Sequence, residues 1–211
     1  MTESAGAGYS SDWVGEAGLA LDEGYCITLV RGVEPREALH RLGVDGAALR
    51  TATWPEFAVE LRAQAPARFV IGVAAAFGLG EHVVLVEDLG YRGRLPEWAG
   101  PVSRGTEAVN VYLSPTSLKE ELTVYRDGGK AAFIDGDEPE VVEGGDGELA
   151  GRLIELTYDA LKPWTEDDPA PADFGDGRVD LLQVACDYLG LEPRVPDISG
   201  PVLGAIVEYR A

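Results

Sequence analysis

With 211 residues, 45% apolar and 26% charged, the chain carries enough hydrophobic material for a buried core, which argues against a chain disordered throughout. Its 37 acidic against 17 basic residues give a formal charge of −20 and a field that repels phosphate, so direct nucleic-acid binding is not expected. The longest apolar run, Phe69 to Phe77, is far shorter than the roughly 20 residues of a membrane span, and the first twelve residues lack the basic-then-apolar order of a secretory leader; a cytoplasmic protein without membrane contact is expected.

Residues 1–20, rich in Ser, Gly and Ala at their start, read as a flexible tail ahead of a single α+β domain over 21–211. Tyr25 to Val30 is β-branched and aromatic enough for a strand, and Arg31-Gly32 ends it. A helix then opens at Pro35 and runs to Leu42, with Gly43 as its stop. Thr53-Trp54-Pro55-Glu56 announces a second helix, to about Ala63, in which the Thr hydroxyl caps a free amide and the Glu reaches back.

Phe69 to Phe77 and His82 to Glu87 read as a hairpin around Gly78-Leu79-Gly80. Val83-Val84-Leu85-Val86 does not alternate, so its strand should be central and covered on both faces. Glu107 to Leu113 is a further strand, followed by a hairpin of Leu122 to Arg126 and Ala131 to Ile134 around Asp127-Gly128-Gly129. Leu149, Leu153, Leu156 and Ala160 recur at helical spacing within a helix near 147–161, and a last helix near 178–189 ends at Gly190. Val202 to Tyr209 fits either a strand or a short helix. The expected fold is α+β, with an antiparallel or mixed sheet of about five or six strands packed against about four helices.

Acidic loops are expected near 135–148 and 163–177, which hold twelve of the 37 acids and are rich in Gly and Pro; Pro163 to Gly177 is the best linker candidate.

Residues able to do chemistry are few. Cys26 and Cys186 lie in separate apolar settings and read as buried free thiols. His40 and His82 have no second His or Cys at metal-ligand spacing, Asp135-Gly136-Asp137 lacks a calcium-binding frame, and Gly144-Gly145-Asp146-Gly147 carries acids where a dinucleotide loop needs none, so neither metal nor cofactor is expected. The segment from Glu87 to Thr106 stands out, because Arg92, Arg94 and Arg104 cluster with Tyr91 and Trp98 in a chain short of positive charge. Together with Glu87 these residues form the candidate ligand site, for a carboxylate, a phosphate or an acidic peptide. The bland alternative is that the arginines tie loops to the protein's own carboxylates. Glu87 and Asp88 are adjacent in a strand and should point to opposite faces, which argues against a shared acid pair.

The phrases Thr28-Leu29-Val30-Arg31-Gly32, Arg41-Leu42-Gly43, Val86-Glu87-Asp88 with Gly90-Tyr91-Arg92-Gly93, Ser103-Arg104-Gly105-Thr106 and Tyr188-Leu189-Gly190 resemble, in their order, a family of high-GC bacteria described only as a domain of unknown function. The resemblance spans roughly residues 25 to 191. Tyr91 stands where members of that family usually have Trp, and Gly145 to Pro171 looks longer than usual. The resemblance implies a shared fold and no chemistry.

Three functions remain. The leading expectation is an intracellular protein-binding module, regulatory or immunity-type, whose acidic surface docks a basic partner. The second is a small-ligand binder or enzyme with a pocket near residues 87–106. The third is a nucleic-acid mimic, which needs its carboxylates on rigid elements.

Overall fold

Among the described residues nine strands form one sheet in which every neighbouring pair is antiparallel. A computed structural model describes residues 13–14, 24–64, 71–88, 90–114, 116, 119–144, 147–163 and 177–209. The strands are β1 (Tyr25–Arg31), β2 (Arg50–Ala52), β3 (Ile71–Leu79), β4 (His82–Asp88), β5 (Glu107–Leu113), β6 (Glu120–Arg126), β7 (Gly129–Asp135), β8 (Val142–Gly144) and β11 (Val202–Glu208), and they lie across the sheet in the order β2-β11-β3-β4-β1-β5-β6-β7-β8. A separate ribbon pairs β9 (Leu161–Pro163) with β10 (Gly177–Val179). The described helices are α1 (Pro35–Arg41), α2 (Trp54–Gln64), α3 (Pro96–Ser103), α4 (Gly147–Asp159), α5 (Leu181–Leu189) and α6 (Val195–Ile198).

The α+β class is thus as expected, with more strands and helices than the sequence suggested. The additions have physical reasons. β2 and β8 are three residues each, too short to show a period of two, and β8 lies within an acidic stretch. α3 holds Gly100 and Pro101 inside eight residues, a composition that reads as loop, although Leu95-Pro96-Glu97 is a sound helix opening. Val202–Glu208 is a strand, because the gap between β2 and β3 offers it partners on both sides.

The boundaries shift where local chemistry decides them. In the first hairpin Gly78 and Leu79 belong to β3, leaving Gly80-Glu81 as the turn, with Gly80 at φ +60°. The Thr53 amide and hydroxyl both donate to Glu56 Oε2, at 2.7 and 2.9 Å, so the carboxylate alone closes the start of α2. α5 begins at Leu181 because Asp180 accepts from the Gln183 amide at 2.9 Å, and Gly190 ends it at φ +69°. α4 stops at Asp159, since Leu161–Pro163 pairs with β10; the ends of the expected linker are therefore adjacent, while residues 164–176 lie outside the described residues.

Both faces of the sheet are covered. Val84 and Val86 of β4 join Ile27, Leu29, Val109 and Val111 in a core closed by Phe57 of α2, Leu153 of α4 and Leu182 of α5. Val83 and Leu85 point the other way, with Val30, Ala74 and Ala76, under Leu39 of α1 and Val102 of α3. The unbroken apolar run of β4 therefore marks a central strand. Trp13 and Val14 are buried in the first of these cores; the rest of the expected tail lies outside the described residues.

Candidate functional site

β-strand alternation and cross-strand register together place a polar layer inside the second face. Cys26 stands opposite Glu87, and Thr28 opposite Asn110, so one buried patch receives a thiol, a carboxyl, a hydroxyl and an amide from three adjacent strands. The Asn110 amide donates to Thr28 Oγ1 at 2.9 Å, to the Ile27 carbonyl at 3.2 Å and to Cys26 Sγ at 3.2 Å.

A 3₁₀ turn, Arg92–Arg94, lies over this patch. Its approach is close because Gly93 has no side chain: a Cβ there would stand 2.3 Å from Thr28 Oγ1 and 2.8 Å from Asn110 Nδ2. Glu87 accepts from the amides of Gly93 at 2.7 Å and Arg92 at 3.1 Å, which fixes the turn to the sheet. Burial pushes the Glu87 carboxyl upward, and those two amides oppose the shift. Burial, followed by the charge of Glu87, raises the Cys26 thiol well above its ordinary value. Tyr209, whose ring packs against Tyr91, is raised for the same reasons; its hydroxyl stands near Glu87 without forming a well-made hydrogen bond.

The arginines of the candidate site do different jobs. Arg92 donates to the carbonyls of Leu42 (3.3 Å), Gly43 (3.2 Å) and Glu208 (2.9 Å), and its guanidinium lies over Trp98 and Tyr209. Arg94 forms a two-pronged pair with Glu121, at 2.7 and 2.8 Å, and covers Tyr112. Arg104 is exposed, and among the described residues its side chain has no acidic partner. The alternative in which arginines tie the protein to itself describes Arg92 and Arg94, though Arg92 binds carbonyls rather than carboxylates.

Tyr91, Arg92 and Trp98 line one groove of about 380 Å³ between the segment that follows α1, Gly43 to Ala48, and the end of β11. The structure does not bring the other three to it. Glu87 is 1% exposed beneath the turn, Arg94 faces β6, and Arg104 lies beyond α3. Sequence reasoning missed the buried surroundings of Glu87, namely Cys26, Thr28, Asn110 and Tyr209. The usable signal was Cys26 and Thr28 at alternate positions of a strand that also holds Ile27, Leu29 and Val30. Glu87 and Asp88 point to opposite faces, as alternation requires.

The layer is suited to holding rather than reacting. A nucleophilic cysteine needs to be a thiolate and accessible, whereas Cys26 is fully buried and held protonated. Cys186 is also buried and outside any disulfide. Among the described residues no group of three His, Cys, Asp or Glu side chains is arranged to hold a metal, and no helix is long and apolar enough to cross a membrane.

No curated protein and no solved structure matches the chain. A family model matches residues 6–159, beginning ahead of the phrases that carry the resemblance and stopping before Tyr188-Leu189-Gly190. On that match, which takes in β1 through α4, the chain belongs to the family of unknown function DUF6461.

Proposed function

We propose that the protein acts by contact in the cytoplasm, docking a basic partner on the carboxylate-rich edge formed by the β7–β8 connection, β8 and the start of α4. The observation that carries this reading is the exposure of Asp137, Glu138, Glu140, Glu143 and Glu148 around an apolar residue, Val141, that is 48% exposed. Lys119 is the cation paired there, bonding Asp135 at 2.7 Å and Asp137 at 3.5 Å, which leaves the edge strongly negative. β8 ends the sheet, so its outer backbone groups are available to an added strand while the carboxylates select for positive charge. Two buried cysteines outside any disulfide fit a reducing compartment.

The test is affinity capture with the wild-type chain and with the triple variant Glu138→Lys, Glu140→Lys, Glu143→Lys. A partner held through this edge should be retained by the wild type, lost by the variant, and released as salt rises to about 0.5 M, where the Debye length falls to a few ångströms. Equal capture by both chains, or capture indifferent to salt, defeats the reading.

A further inference from the structure

A second concavity lies elsewhere, and its charge is opposite to that of the molecule. Arg31 ends β1 and faces His82 across the β1–β4 pair, while Glu107 faces Arg126 across the β5–β6 pair. Alternation places all four on the face that carries Ile27, Leu29, Val109 and Val124, so they form a row along one end of four adjacent strands. The end of α5 and Arg152 of α4 stand across from this row, enclosing an open cleft of about 890 Å³ lined by Arg31, Glu107, Arg126, Asp127, Arg152 and Tyr188 among others.

Three arginines against two acids give this cleft a positive excess in a chain whose acids outnumber its bases 37 to 17. The two acids are already engaged. Glu107 receives Arg126 and the Tyr188 hydroxyl, the latter at 3.0 Å, and the Tyr188 hydroxyl also accepts from Arg126 at 2.7 Å. Asp127 accepts from the Gly105 amide at 2.9 Å. Arg126 is held by Glu107 and the Tyr188 hydroxyl, whereas Arg152 and Arg31 are less committed. Arg152 donates to the Tyr188 carbonyl at 2.8 Å and lies over the Tyr188 ring, which offsets the negative carbonyl end of α5 and leaves other N–H groups unspent. The exposed Arg31 side chain has no carboxylate partner among the described residues. Arg104, next to Gly105 of the cleft, is likewise without one. Burial, and after it the Arg31 charge, holds His82 below its ordinary range, and His82 Nε2 is buried without a hydrogen-bond partner.

We propose that this cleft binds a small phosphate-bearing anion through Arg31, Arg126 and Arg152. Guanidinium groups from β1, β6 and α4 approach from separate elements, an arrangement suited to the several oxygens of a phosphoryl group rather than to the planar pair of a single carboxylate. Arg31 and Arg152, with no carboxylate partner among the described residues, repel one another across the shared void, and an anion between them, reached also by Arg126 from its pair with Glu107, removes that repulsion.

Sodium pyrophosphate is the probe, compared with sodium chloride at matched ionic strength. At a concentration about ten times Kd, pyrophosphate should raise the Tm of the wild type by roughly 3–6 °C. Arg31→Ala/Arg152→Ala should abolish the increment, whereas Arg36→Ala, on the opposite face of the sheet, should retain it. Broadening of the pyrophosphate ³¹P resonance on addition of the protein gives a second reading. Should the double variant fail to fold by circular dichroism, Arg31→Gln alone should weaken binding about tenfold. Absence of a shift and of broadening in the wild type, or an equal response in the arginine variants, overturns the proposal.

Discussion

Asp88 shows how one buried carboxyl couples folding to pH. It ends β4 on the face opposite Glu87, and burial raises its carboxyl to about 6 from an ordinary 3.8. The folded state therefore holds a proton that the unfolded chain releases, so its contribution to stability is present below about pH 4 and is lost as pH rises through about 6. Urea unfolding of the wild type and Asp88→Asn at pH 4, 5, 6 and 7 isolates the term. The wild type should lose up to about 3 kcal/mol relative to the variant over that range, and parallel pH profiles would show that Asp88 carries none of it. At this scale the sequence was half legible. The clustering of Arg92, Arg94, Tyr91 and Trp98 is visible in the chain and marks a site of dense interaction. Whether Arg92 meets a ligand or the carbonyls of Leu42, Gly43 and Glu208 depends on segments far apart in sequence.

Among the elements, the 3₁₀ turn Arg92–Arg94 acts as a clasp, joining the end of α1, the end of β11 and the strand β6. Its seat depends on Gly93, so Gly93→Ala should cost about 1–3 kcal/mol or more, because the new methyl overlaps the buried Thr28 hydroxyl and Asn110 amide. Gly151→Ala is the contrasting change: on the exposed side of α4, with open space around it, it should gain about 0.4–1 kcal/mol. Denaturant midpoints of the two variants should move in opposite directions. Elements with a strong local signal were legible: α2 by its Thr53–Glu56 opening, α5 by its apolar face, β4 by its unbroken apolar run, and the β6–β7 hairpin by Asp127-Gly128, both at positive φ. α3 and the two three-residue strands were not, since packing against neighbours rather than propensity stabilises them.

For the molecule as a whole, charge and class could be read from composition, but strand order could not, because pairing partners are chosen by contacts between distant segments. β11 shows this most clearly. It separates β2 from β3, strands laid down some 120 or more residues earlier, and α5 closes the core over β5 and β6. A chain ending at Asp159, which retains the family-matched span, should therefore lack cooperative unfolding and bind a hydrophobic dye strongly, through Val109, Leu122 and Val124. A sharp urea transition in that fragment would show that the sheet closes without its last strand.

The position of β11 also bears on how the protein is made. While the ribosome is still extending the chain, β3 presents an unpaired edge and β2 has no neighbour to bond, so the sheet cannot be completed until β11 clears the exit tunnel. In the interval before β11 arrives, the nascent protein offers its open strand edge to other copies of itself.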